Sequence, residues 1–97
     1  MQKSYSNNFK WTKYSKRGKY WTYSMVPKAS VRILRPVALQ GYNELGRKYG
    51  SLGPIGGSLA DQYFCHFDLV FEHEWNIEKG RPNISYPGTI TKLCNPK

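Results

Sequence analysis

His66 is the side chain in this sequence best suited to moving a proton at neutral pH, because an imidazole titrates near the physiological range. Asp68 follows two positions later. In a strand, residues i and i+2 share a face about 7 Å apart, so Asp68 can orient or charge the ring while His66 acts as general base. On RNA that base would take the proton of a 2′-hydroxyl. Arg81 would hold the phosphate with its planar fork of donors, and Glu78 or a tyrosine would carry the second proton. A structural reading stands beside this one. His66 can equally be a hydrogen-bonded residue next to a disulfide. Trp75-Asn76-Ile77-Glu78 with Arg81-Pro82 can plug the core edge, closed by a Glu78–Arg81 ion pair.

Other chemistries find less support. Asp61, Asp68, Glu72, Glu74 and Glu78, with His66 and His73, crowd positions 61 to 78. Hard-ion binding needs two or three converging carboxylates, and the histidine spacing fits no zinc motif. These acids read as solvated charges, so no metal and no cofactor is expected. Gly53–Gly57 lacks the lysine and hydroxyl of a phosphate loop, and Ser24 and Ser58 lack a nucleophile elbow.

Charge says more about a partner than about a reaction. The chain has 97 residues, a net charge of +9 and 15% aromatics. That ring content argues against a disordered basic tail, and no run of 18 apolar residues is present to span a membrane. Residues 1–48 hold eleven Lys and Arg against the single acid Glu44, while residues 49–97 hold four against five. The cations interleave with Tyr5, Phe9, Trp11, Tyr14, Tyr20, Trp21 and Tyr23. Such a surface repels itself unless something negative approaches it. Lys13, Lys16, Arg17 and Lys19, with Arg32 and Arg35 further along, are the candidate anion-binding residues. The target would be an anionic polymer: RNA, whose phosphates and bases suit cations and rings, a membrane surface or a cell-wall polymer. The rings also read simply as core, with the cations on their solvated face.

The elements that must position these groups begin after residues 1–8, expected to be a flexible N-terminus ahead of one globular domain over 9–97. Phe9–Tyr14 reads as a strand, Ser15–Gly18 as a turn and Lys19–Val26 as a second strand, with Trp21, Tyr23 and Met25 on one face. Val31–Leu34 reads as a short third strand. Pro36 begins a helix that carries Val37, Ala38, Tyr42, Leu45 and Tyr49 at helical spacing and ends at Gly50. Ser51–Ser58 reads as a loop. Gln62–Glu72 shows alternation and reads as the clearest strand, Glu74–Pro82 as a loop anchored by Trp75, and Thr89–Cys94 as a last strand. The expected class is α+β: a small antiparallel sheet with one helix packed on a face and one disulfide.

Cys65 and Cys94 are the only cysteines and lack C-x-x-C spacing. One disulfide fits them better than a metal site, and two buried free thiols are the alternative. A disulfide would place the protein outside the cytoplasm.

The run Gln62-Tyr63-Phe64-Cys65-His66, then Trp75-Asn76-Ile77-Glu78 with Arg81-Pro82, then Cys94-Asn95-Pro96 resembles a family of secreted bacterial domains of unknown function. Its pattern is roughly Q-x-x-C-H, W-N-L-E-x-x-R-P and a closing C-N-P. Trp21-Thr22-Tyr23-Ser24 with Pro27, and Gly41-Tyr42-Asn43-Glu44-Leu45, are similar to its W-T-L-S…P and A-W-N-E-L segments. Ile77, Lys79-Gly80 and Gly41-Tyr42 depart from that pattern. The resemblance implies export and a Cys65–Cys94 pair, and it leaves the chemistry open. By analogy, the expected function is a secreted effector or toxin domain acting on an anionic polymer, RNA being the most concrete case. A non-catalytic, bacteriocin-like module for membranes or cell walls is the second reading. A cationic face meeting an acidic protein is the third, and an acidic immunity protein would favour the toxin. A monomer is expected throughout.

Overall fold

The computed structural model describes residues 8–69 and 73–95; the flexible segment expected over 1–8 lies, apart from Asn8, outside them. Strands β1 (Phe9–Arg17) and β2 (Tyr20–Pro27) form the expected hairpin. The turn is Gly18-Lys19, with Arg17 opposite Tyr20, and not Ser15–Gly18 as expected: Ser15, Lys16 and Arg17 continue β1 by pairing with β2. Gly18 has φ +63°, a conformation that glycine adopts without steric cost. A bulge at Lys10 shifts the register, so that Phe9 faces Pro27 while Trp11 faces Val26. Phe9 and Trp11 therefore lie on opposite faces although both are odd-numbered.

Two short elements differ from expectation. Val31–Leu34 is not a strand: α1 spans Ala29–Ile33, because Val31 reaches the core from one helical turn and finds no strand partner. Leu34, extended at φ −110°, separates it from α2 (Arg35–Tyr49). Helix α2 follows the expected pattern, with proline in its first turn, Gly50 at its end at φ +93°, and Ala38, Gly41, Tyr42 and Leu45 buried. Those four positions form one stripe at i, i+3, i+4 and i+7.

The largest correction is α3 (Ser58–Leu69), which replaces the strand expected over Gln62–Glu72; positions 70–72 lie outside the described residues. Every residue from Leu59 to His66 is buried. A helix surrounded by protein shows no single apolar stripe, so its short apolar run cannot be told from a strand by periodicity. Conversely, the expected loop contains β3 (Trp75–Lys79), where Trp75 and Ile77 alternate inward. It pairs antiparallel with β2, from Met25 opposite Trp75 to Trp21 opposite Lys79. The expected last strand is instead α4 (Ser85–Thr91), whose Pro87 sits in the first turn, where a missing N–H is tolerated.

The described residues thus form an antiparallel sheet in the order β1-β2-β3, with four helices rather than one. Tyr23, Met25, Trp75 and Ile77 turn one sheet face into the core, against Ala38, Tyr42 and Leu45 of α2 and Leu59, Tyr63 and Phe64 of α3. The Tyr63 hydroxyl donates to Ala38 O at 2.7 Å and locks α3 to α2. Cys65 and Cys94 are disulfide-bonded with Cα atoms 5.3 Å apart, as expected. The bond ties the segment after α4 to the middle of α3.

Candidate functional site

The second sheet face is polar. Ser15 lies opposite Thr22 and Thr22 opposite Glu78; Lys13 lies opposite Ser24 and Ser24 opposite Asn76. Alternation sends all of these side chains, with Arg17, to the side away from Tyr23 and Ile77. At one end of this face is a cavity of about 320 Å³. The sheet contributes Arg17, Thr22, Asn76 and Glu78 to its wall, α3 contributes Gln62 and His66, and Leu93–Asn95 close it.

Helix α3 reaches this cavity because it docks against the open edge of β3. The Gln62 carboxamide donates to Glu78 O at 2.9 Å and accepts the Glu78 N–H at 2.8 Å. It thereby satisfies two main-chain groups that an edge strand leaves unpaired. One turn further on, the same helix face carries His66. Its Nδ1 donates to Gln62 O at 2.7 Å. A carbonyl can only accept, so Nδ1 holds the proton and the neutral ring has its lone pair on Nε2. The ring lies 6.1 Å from that of Trp75 and is 9% exposed.

Arg81 does not line the cavity; it donates from Nε at 3.0 Å and Nη2 at 2.7 Å to Oε1 of Glu78, which does. Its guanidinium also stacks on Tyr20 at 4.2 Å. The ion pair expected from the sequence therefore forms, and its carboxylate faces the same cavity as His66. Asn76 is fixed by Arg17 Nη1 at 2.9 Å and by the Ser24 hydroxyl at 2.6 Å, both donating to Oδ1. The Thr22 hydroxyl, on a side chain only 1% exposed, makes no hydrogen bond among the described residues. A buried polar atom in that state is costly unless a ligand satisfies it. The disulfide forms part of the wall through Cys94, which like Leu93 has a left-handed φ (68° and 54°).

Asp68 is not part of this site. On a helix, i+2 points about 200° away from i, so the shared strand face with His66 does not exist. Asp68 pairs instead with Arg35 at 2.8 Å and accepts a hydrogen bond from the Tyr86 hydroxyl. Burial and that carboxylate push the Tyr86 phenol up to about 12. Arg35 also stacks on Phe64 at 4.9 Å and Phe67 at 5.4 Å, so it clamps α2 to α3. Arg32 is likewise engaged by the fold: Nε donates to Pro27 O at 3.0 Å and Nη2 donates to His73 O. Burial lowers its pKa. Of the six candidate anion-binding residues, Lys13, Lys16, Arg17 and Lys19 thus remain on the hairpin, with Lys19 over the Tyr20 ring at 5.5 Å.

Gln62, Thr22 and Asn76 belong to the site; the sequence offers them as residues of the family pattern, with no chemical role. Gln62 becomes visible once α3 is read as a helix, being one turn before His66. Thr22 and Asn76 stand in segments that carry the family resemblance, but nothing local places them at a cavity, because strand register brings them there. Among the described residues no three His, Cys, Asp or Glu side chains are grouped to hold a metal, and no helix is long and apolar enough to cross a membrane.

Fold and cavity together define a small basic α+β domain, tied by one disulfide, with a polar cavity lined by His66 and Glu78 on the face of its sheet away from the main core. Residues 6–97 match the model of the family DUF2599, described as a protein of unknown function, and the chain belongs to that family. No curated protein and no solved structure matches it.

Proposed function

We propose that this chain is a secreted bacterial effector or toxin domain that cleaves RNA in the His66 cavity. The reading rests on one observation: His66 and the Arg81-held Glu78 face a common cavity. These are two proton carriers of different type, with Arg17 on the same wall to neutralise a phosphate. RNA transphosphorylation requires this set. His66 Nε2 takes the 2′-hydroxyl proton as the 2′-oxygen bonds to phosphorus. The bond from phosphorus to the 5′-oxygen breaks, and Glu78, ionised in its pair with Arg81 until then, collects a proton from solvent and passes it to the leaving oxygen. Arg17 on the cavity wall offsets the charge that builds on the phosphoryl oxygens, and Arg81 acts by holding Glu78 in place. The disulfide supports work outside the cytoplasm, where such bonds persist.

The test is incubation of the folded chain with single-stranded RNA and analysis of the ends. The expected products carry 2′,3′-cyclic phosphates. His66→Ala lowers the rate at least ~100-fold, the range of general-base catalysis, with an unchanged circular-dichroism spectrum. Cleavage by the alanine variant at the parent rate removes His66 as the base and the reading with it.

A further inference from the structure

The polar sheet face does not end at the His66 cavity. A second concavity of about 440 Å³ adjoins it, and Arg17 lines both. Trp11, Lys13 and Ser15 of β1 and Ser24 of β2 form its floor and wall, with Lys16 and Glu74 at the rim. The bulge at Lys10 creates this arrangement: without the register shift between Phe9 and Trp11, Trp11 would follow Phe9 into the core. Trp11 instead lies opposite Val26, a buried residue outside the main core cluster. From Trp11 to Arg17 the trench runs about 20 Å along β1 at the rise of an extended strand.

We infer that this trench is the path of a single-stranded nucleic acid, which enters over Trp11 and is led by the hairpin cations to the His66 cavity. The inference rests on the RNA reading above and extends it from the reacting bond to the flanking nucleotides. A partly exposed indole on the same strand as three cations matches what single strands require: a ring on which a base stacks, and cations that track the phosphates. Lys13 and Arg17, four positions apart on the same face of β1 with Ser15 between them, line the trench, and Lys16 borders it. A duplex offers no base faces to Trp11. A lipid surface needs a convex apolar rim, whereas this face is concave and polar.

The test uses equilibrium binding of a fluorescein-labelled single-stranded DNA oligonucleotide, which lacks the 2′-hydroxyl and so survives intact. Trp11→Leu keeps an apolar cover over Val26 but has no ring, and should weaken binding about tenfold, within the range measured for base–aromatic stacking. Trp11→Phe should stay near the parent. Lys13→Gln with Lys16→Gln should flatten the slope of log K against log salt by about 1.4, two phosphate contacts on a single strand. Equal binding by the parent and Trp11→Leu, equal loss in the Leu and Phe variants, an unchanged salt slope, or a DNA duplex bound as tightly as the single strand would each overturn the trench. The two readings fail separately. RNA cleavage that depends on His66 but ignores Trp11 and Lys13 defeats the trench alone. Oligonucleotide binding that follows the expected pattern without any RNA cleavage defeats the catalytic reading and leaves the trench as a binding surface.

Discussion

The side chain of Gln62 acts as a strand partner for Glu78: one carboxamide donates to its carbonyl at 2.9 Å and accepts its N–H at 2.8 Å. This contact fixes α3 against β3 and sets the distance between His66, one turn along the helix, and the Glu78 carboxylate. Gln62→Ala leaves two main-chain groups unpaired in a semi-buried place, a cost of roughly 1–3 kcal/mol. Thermal unfolding should drop by about 10 °C, given ~4–8 °C per kcal/mol for a domain of this size. Gln62→Glu should not rescue it, because a carboxylate has no donor for the Glu78 carbonyl. An unchanged midpoint in both variants would show that α3 docks without this pair.

Two glycines of α2 should respond oppositely to alanine. A Cβ on Gly41 would stand 2.8 Å from the Tyr63 hydroxyl oxygen and 2.9 Å from Cζ of Phe9. Helix propensity favours alanine by about 1 kcal/mol, yet overpacking costs about 1–3 kcal/mol. Gly41→Ala should therefore destabilise on balance. A Cβ on Gly46 meets only Ser51 Cα, at 3.9 Å. Gly46→Ala should stabilise by up to about 1 kcal/mol. Denaturant titration of both variants checks the contrast, and a stabilised Gly41→Ala would refute the close contact.

Reduction of Cys65–Cys94 should act on the fold and the cavity together. The bond spans 29 positions, and in the chain-entropy model such a loop is worth roughly 3–4 kcal/mol. Its loss also releases Leu93–Asn95 from the cavity wall. A Cys65→Ser, Cys94→Ser variant should melt at least about 10 °C lower. It should also lose the His66-dependent activity at temperatures where its helices persist in circular dichroism. Full activity in that variant would show that the tether does not shape the cavity.

Asp61 should give stability an acid-side slope of unusual sign. Its side chain is 4% exposed, Oδ2 makes no hydrogen bond among the described residues, and burial raises its pKa above 3.8. A carboxyl raised in the folded state binds its proton more tightly there than in the unfolded chain. Its contribution is therefore present below pH 3.8 and is lost as pH rises through the folded value. Asp61→Asn should raise stability at pH 7 by about 1 kcal/mol, the order of relieving one unpaired buried group. It should also remove that slope from a plot of unfolding midpoint against pH. A variant less stable than the parent at pH 7 would indicate that the carboxylate is stabilised by its surroundings.

Local chemistry alone determined the hairpin, α2 and the disulfide. Gly18 makes the turn, Pro36 and Gly50 bracket one apolar stripe, and two cysteines had a single pairing available. It also named His66, Glu78 and Arg81 as the chemically capable side chains and placed the cations on the hairpin. Where a segment is buried as fully as α3 is from Leu59 to His66, apolar residues lose the helical period and alternate like a strand. The strand period makes Asp68 the partner of His66, since i+2 is a neighbour at period two and nearly opposite at period 3.6. Only the tertiary structure decided that β3 joins β2, that Thr22 lies opposite Glu78 and Ser24 opposite Asn76, and that Gln62 fills the open edge. Each of those contacts joins residues 16 to 58 positions apart. Strand register and helix docking, which minimise unpaired main-chain groups over the whole chain, select them, and no local run of residues encodes that minimum.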